Sequence, residues 1–117
     1  MFKFAAIQMC AHHIVADNLA LASQLIQKAC DDGAQFITLP EGFSHYGLDK
    51  DDKLTHAELD GRGIVQDFLA NMAVKHQVWL SGGTLLIKDA HGKYYASSRM
   101  YNPQGDCVAN YNKMHLF

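Results

Sequence analysis

Glu41 and Lys113 are the two residues of this 117-residue chain whose types and positions suggest chemistry. Glu41 follows the apolar run Phe36-Ile37-Thr38-Leu39 and a proline. A short apolar, β-branched run bounded by breakers reads as a buried strand. Pro40 has no N–H to give a sheet ladder, so the strand should end near Leu39. Glu41 is then carried to the carboxyl edge of a strand, where open α/β sheets place ligands. An ionisable group pinned there by a rigid element is a candidate for proton transfer. Lys113 falls just beyond another strand-like run, 107–112, and lies 72 residues after Glu41. A carboxylate and a lysine that each fall just beyond a strand end are the informative pairing of the chain. Each residue also has a plainer reading. Glu41 can open a loop and face water, and Lys113 can be a solvated lysine after an edge strand.

The remaining reactive side chains offer less. Of the seven histidines (His12, His13, His45, His56, His76, His91 and His115), none stands in an HxH or HExxH pattern or in another ligand spacing with a carboxylate. No metal site is expected. Asp49-Lys50-Asp51-Asp52 resembles a fragment of a calcium loop, but the required glycine and terminal glutamate are missing. No GxSxG elbow marks a serine nucleophile. Cys10, Cys30 and Cys107 are odd in number and widely spaced, with no CxxC. That argues against a disulfide framework or a structural zinc site, and each reads as a small buried hydrophobe.

The elements that must position Glu41 and Lys113 are legible as a pattern. Residues 2–10 read as a central strand buried on both faces. Asp17 or Asn18 can cap a helix that starts near Leu19 or a few residues earlier. Leu19, Ala22, Leu25, Ile26 and Ala29 supply its apolar stripe. Gly33 can take the left-handed conformation that ends it. Residues 34–39 follow as the second strand, completing a βαβ unit and implying parallel pairing. Residues 42–63 form a polar, irregular stretch, and loops of that length are usually functional or poorly ordered. Ser44-His45-Tyr46 can line a pocket beside Glu41 or serve as loop packing. A second helix spans about 64–76, with Ile64, Phe68, Leu69, Met72 and Ala73 on its apolar face. A third strand, 77–87, contains Gly82-Gly83, which signals close backbone approach or a bulge rather than a phosphate loop. Asp89-Ala90-His91-Gly92 turns the chain into an antiparallel strand at 94–101, and Asn102 to Asp106 turns it again into 107–112. Both helices connect early parallel strands and can lie on one face of the sheet. The other face then lacks an obvious cover.

Composition narrows the function classes. Hydrophobic residues make up 49% of the chain, enough for a core and against disorder. Ten Lys and Arg against twelve Asp and Glu give a net charge of −2, with no electrostatic footprint for nucleic acid. No apolar segment approaches the ~20 residues that a membrane-spanning helix needs. The N-terminus runs into a strand-like pattern without a signal-peptide core, so a cytoplasmic location is expected.

Four segments, taken together, resemble a known family. They are Ala5-Ala6-Ile7-Gln8-Met9, Leu39-Pro40-Glu41, Trp79-Leu80-Ser81-Gly82-Gly83-Thr84 and Tyr111-Asn112-Lys113-Met114-His115-Leu116-Phe117. In order and spacing they are similar to the nitrilase (carbon–nitrogen hydrolase) superfamily, and most to its Nit-like and omega-amidase branch. The resemblance implies an α/β fold that is half of a four-layer α-β-β-α sandwich. That half would be a mixed sheet of about five strands with two helices on one face. It also implies a Glu-Lys-Cys triad without cofactor or metal, acting on a small-molecule amide. Glu41 would be the general base and Lys113 would stabilise the oxyanion, while His115 receives no catalytic role. In the family the nucleophilic cysteine lies downstream of the lysine motif, and none of Cys10, Cys30 and Cys107 matches it. Residues 1–117 are therefore expected to be the N-terminal part of a carbon–nitrogen hydrolase domain, truncated before the catalytic cysteine and inactive alone. The alternatives are a non-catalytic remnant or assembly module, or one half of a split enzyme. An uncovered sheet face further implies self-association.

Overall fold

A computed structural model describes residues 1–113. The last four residues of the lysine motif, including His115, lie outside the described residues. Seven strands and three helices are found among those described: β1 (Phe4–Ala6), α1 (Val15–Asp31), β2 (Phe36–Thr38), α2 (Lys50–Thr55), β3 (Glu58–Leu59), α3 (Ile64–His76), β4 (Trp79–Ser81), β5 (Leu85–Lys88), β6 (Tyr94–Tyr101) and β7 (Cys107–Asn112). They form one mixed sheet in the order β1-β2-β4-β6-β5-β3, with β7 also paired to β6. The pairs β1–β2 and β2–β4 are parallel, and β6 runs antiparallel to β4, β5 and β7.

The first strand is an edge strand rather than a central one. Phe4 is exposed and only Ala5 turns inward. The apolar run misled because Phe2 and Phe4 are exposed on the side that no helix covers, while Ala5, Ile7 and Met9 pack only partly buried against the core. α1 starts at Val15, and its cap position, Ile14, provides no side-chain hydrogen bond. Asn18 is not a cap. It is buried inside the helix, where its amide donates to the carbonyls of His12 and Ser44 and accepts from the His12 N–H. The other end of α1 follows expectation. Gly33 is left-handed (φ 91°), its N–H donates to the Cys30 carbonyl, and that of Ala34 donates to Ala29. This is the double bond of a Schellman ending.

The stretch 42–63 contains structure that its polarity concealed. Asp49 caps the short helix α2 by accepting from the Asp52 N–H at 2.8 Å. β3 then pairs parallel to β5 and delivers Glu58 to the start of α3. There the Glu58 carboxylate accepts from the N–H groups of Val65 and Gln66. A residue distant in sequence thus performs the capping that Gly63 cannot.

The expected third strand is two strands. Leu80 and Ser81 pair with Tyr101 and Met100, whereas Leu85 pairs with Ser97. The chain advances four residues on one strand against three on the other, so a bulge falls at Gly82–Thr84. Strand alternation then sorts the sheet into two faces. Ile37, Leu80 and Tyr101 point toward α1 and α3 and join Ala22, Ile26, Leu69 and Ala73 in the core. Phe36, Thr38, Trp79, Ser81 and Met100 point the other way, where no element among the described residues covers them.

Candidate active site

Topology brings Glu41 and Lys113 together. β2 and β4 end at Thr38 and Ser81 on one edge of the sheet. β7 is antiparallel to β6, which is antiparallel to β4, so β7 also ends on that edge. Lys113 follows it directly, and its N–H donates to the Ala96 carbonyl at 2.8 Å. Glu41 lies three residues beyond β2. The Lys113 Nζ donates to Glu41 Oε1 at 2.8 Å, with the carboxylate the more exposed partner. An exposed ion pair of this kind contributes little to stability, about 0–1 kcal/mol.

The backbone around Glu41 is held tightly. The Leu39 N–H donates to the Ser81 carbonyl, the Gly42 N–H donates to Thr84 Oγ1, and Glu41 forms an isolated parallel bridge with Thr84. Gly83 makes this possible. It adopts φ +61°, and a Cβ there would collide with the Pro40 carbonyl. Gly82 packs under the Leu69 side chain of α3. The glycine pair therefore serves both expected purposes, close approach and bulge. Thr84 carried no signal of its own, because its role depends on a bulge that only pairing reveals.

Around the ion pair is an open concavity of about 370 Å³, lined by Thr38, Ser81, Ser98, Tyr111 and their neighbours. Its floor is the uncovered face of the sheet, with Thr38, Ser81 and Ser98 where Phe4, Phe36 and Trp79 stand farther back along the strands. None of Cys10, Cys30 and Cys107 lines it. Cys10 and Cys107 are exposed rather than buried. Cys30 is half-buried in α1, where burial pushes its thiol up from the usual value and the nearby Asp31 carboxylate adds to the shift. Ser44, His45 and Tyr46 do not line the concavity either. Ser44 is buried and Tyr46 is exposed. A wider groove, about 510 Å³, lies between β1 and α1, but its ionic groups tie the chain together, as where Lys3 Nζ donates to the Asp32 carbonyl.

One cluster was missed. His45, Asp52 and His56 converge beside α2, with one donor atom from each within 4.8 Å of the others. The signal was present in the sequence. Asp52 and His56 are four residues apart, one helical turn, which contradicts the expectation that no histidine stands at ligand spacing from a carboxylate.

With this geometry in hand, comparison with known proteins is decisive. The carbon–nitrogen hydrolase family model matches residues 3–117. The chain belongs to that family. Among its relatives, nitrilase homolog 2 of Dictyostelium discoideum is 34% identical over 119 residues, covering 100% of this chain and 35% of that protein. Omega-amidase NIT2 of Homo sapiens is 32% identical over 117 residues, covering 99% of this chain and 41% of that protein. The fold agrees. Saccharomyces cerevisiae Nit3, of branch 10 of the nitrilase superfamily, superposes with a TM-score of 0.88 at 26% identity, covering 97% of this chain and 44% of that one. The C. elegans NitFhit protein gives 0.83 at 28% identity, covering 97% and 28%. This carbon–nitrogen hydrolase chain thus spans about two-fifths of the length of the curated relatives it matches.

Proposed function

We propose that this chain supplies the base and the oxyanion-stabilising cation of an amide-hydrolysing active site, with the nucleophilic thiol contributed from outside residues 1–117. The observation that carries the reading is the 2.8 Å contact between Glu41 and Lys113, which the fold brings from 72 residues apart onto one edge of the sheet. Membership of the carbon–nitrogen hydrolase family supports it, as do the omega-amidase relatives. In this reading Glu41 takes the proton of the thiol, and the thiolate attacks the carbonyl carbon of a small carboxamide. The ammonium of Lys113 meets the negative charge that develops on oxygen. The intermediate collapses as Glu41 returns its proton to the leaving nitrogen, and water then hydrolyses the thioester. No cofactor is needed. The three unpaired cysteines fit a reducing compartment such as the cytoplasm.

The assignment of the nucleophile rests on the absence of Cys10, Cys30 and Cys107 from the concavity. The purified 117-residue chain should therefore show no sustained hydrolysis of ω-amides or nitriles. Joined to the cysteine-bearing remainder of an omega-amidase relative, it should release ammonia, and Glu41→Gln should cut that rate by about 10³-fold or more. Sustained Glu41-dependent turnover by the 117-residue chain alone would overturn the assignment of the nucleophile. Turnover by the joined protein that is indifferent to Glu41→Gln would overturn the assignment of the base.

A second observation favours an assembly role alongside catalysis. The uncovered face presents Phe2, Phe4, Phe36 and Trp79 as an aromatic strip, with the Phe4 and Phe36 rings 5.4 Å apart. Aromatic surface of this kind drives association. In the 117-residue chain its partner is a second copy, and light scattering at micromolar concentration should report a species larger than a monomer.

A further inference from the structure

We infer that His45, Asp52 and His56 form a binding site for a borderline divalent transition cation of the zinc class, separate from the Glu41–Lys113 concavity. Three side chains from two local segments converge there. Asp52 and His56 lie one turn apart along α2 and its end, and His45 comes from the loop that follows Glu41. The Asp52 carboxylate reaches both imidazoles, whose ring centroids are 4.0 Å apart. Oδ2 is 3.3 Å from His45 Nε2, and Oδ1 is 3.6 Å from His56 Nε2. A tetrahedral cation with N and O ligands at about 2.0–2.2 Å holds its donors about 3.3–3.6 Å apart. The two histidine–carboxylate spacings fall in that range, each to a different carboxylate oxygen, and one donor atom from each of the three residues lies within 4.8 Å of the others.

The second observation is an unsatisfied donor set. The His45 side chain is only 7% exposed, yet its Nε2 faces into the cluster and makes no hydrogen bond. A buried ring nitrogen that meets a carboxylate oxygen at 3.3 Å without the alignment of a hydrogen bond calls for an explanation. A cation provides one, because it uses the lone pair that the carboxylate cannot. The carboxylate is already oriented for the purpose, since Asp52 Oδ2 accepts from the Leu48 N–H at 2.9 Å. Such outer partners fix metal-ligand geometry. The donor chemistry selects the metal. Two imidazoles and one carboxylate suit zinc-class ions, whereas calcium and magnesium prefer oxygen alone. His56 is 39% exposed, which leaves a path from solvent and an open coordination position. The bound cation would tie α2 to the loop behind Glu41.

The test is titration of the 117-residue chain with cobalt(II), read by its visible d–d absorption, and with zinc(II), read by thermal unfolding. One equivalent of cobalt should bind saturably, without the charge-transfer band that thiolate ligation by Cys10 or Cys107 would give. Zinc should raise the unfolding temperature. His56→Gln alters an exposed side chain, so its far-UV circular dichroism should match that of the parent while its cobalt affinity falls about tenfold or more. Asp52→Asn should lower affinity similarly, and His91→Gln, on the turn between β5 and β6 and outside the cluster, should leave it unchanged. Absence of saturable uptake, a thiolate band, or full affinity in the folded His56→Gln variant would each overturn the site.

Discussion

Ile37 and Phe36 are neighbours in β2, and Leu80 and Trp79 are neighbours in β4, yet each pair is divided between two environments. Ile37 and Leu80 are sealed beneath α1 and α3 with no exposure, whereas Trp79 remains 39% exposed on the opposite face. The face under the helices is uniformly apolar in its strands β1, β2 and β4. The open face changes character along the strands, from Phe4, Phe36 and Trp79 at one end to Thr38, Ser81 and Ser98 beside Glu41 and Lys113 at the other. One face gives the chain its stability. The other carries polar groups that contribute little to stability and are free to serve chemistry. That division makes distinct predictions for substitutions on the same strands.

The largest expected effect lies on the covered face. Leu80→Ala removes a fully buried side chain and leaves a cavity between the sheet and α3, which should cost about 2–5 kcal/mol in denaturant unfolding. Trp79→Ser, one residue earlier, should change stability by about 0.5 kcal/mol or less in the monomer. Equal losses at the two positions, at a concentration where light scattering reports a monomer, would end the contrast.

These two faces also explain how far the sequence could be read. The helical stripe Ala22–Ile26 and the runs around Ile37 and Leu80 were legible because burial on one side imposes a period on the residues themselves. β1 was misplaced as a central strand because Phe2 and Phe4 are apolar without being under a helix. α2 and β3 were invisible for a different reason. Their six and two residues bury no large side chain, and their stability comes from the Asp49 cap and from pairing with β5, neither of which has a hydrophobic period. Asn18 looked like a cap because its residue type is what caps are made of, but its amide bridges the His12 and Ser44 carbonyls from within the helix. Around the site, Pro40 and the glycine pair were readable since they act through the backbone. The role of Thr84 and the arrival of His45 beside the Asp52–His56 pair depend on which loops meet, and one chain of letters does not contain that information.

An intermediate effect is expected at the seam between the two faces. Gly83 has φ +61° and lies against the Pro40 carbonyl, so Gly83→Ala adds both backbone strain and a collision with backbone atoms. Such strain costs about 1–3 kcal/mol. The loss should appear in the unfolding midpoint. It should also displace the segment Pro40–Gly42, seen as shifted amide resonances at Glu41 and Gly42. Gly92→Ala provides the comparison, for it is also left-handed (φ 80°) but has open space where the Cβ would sit. It should cost less and leave Glu41 undisturbed. Equal effects from both would mean that conformational strain alone matters and that Gly83 does not position Glu41.

The smallest effect on stability is expected where the consequence for chemistry is proposed to be greatest. Glu41→Gln keeps the size of the side chain and one oxygen, and it removes the charge opposite Lys113 at a position where the carboxylate side chain is 61% exposed. Solvent screens the pair, so the unfolding free energy should fall by no more than about 1 kcal/mol. Because the ammonium keeps the amide oxygen as an acceptor, the backbone around Thr84 should be unchanged. A loss as large as that of Leu80→Ala would mean that the ion pair is part of the fold's foundation, and the separation between a stabilising face and a reactive face would fail. A loss within the screened range, together with loss of hydrolysis in the joined protein, would locate Glu41 on the reactive face alone. The same reasoning gives the pair its sensitivity to salt. Raising ionic strength should narrow the already small difference in stability between the parent and Glu41→Gln, while the cost of Leu80→Ala should stay constant.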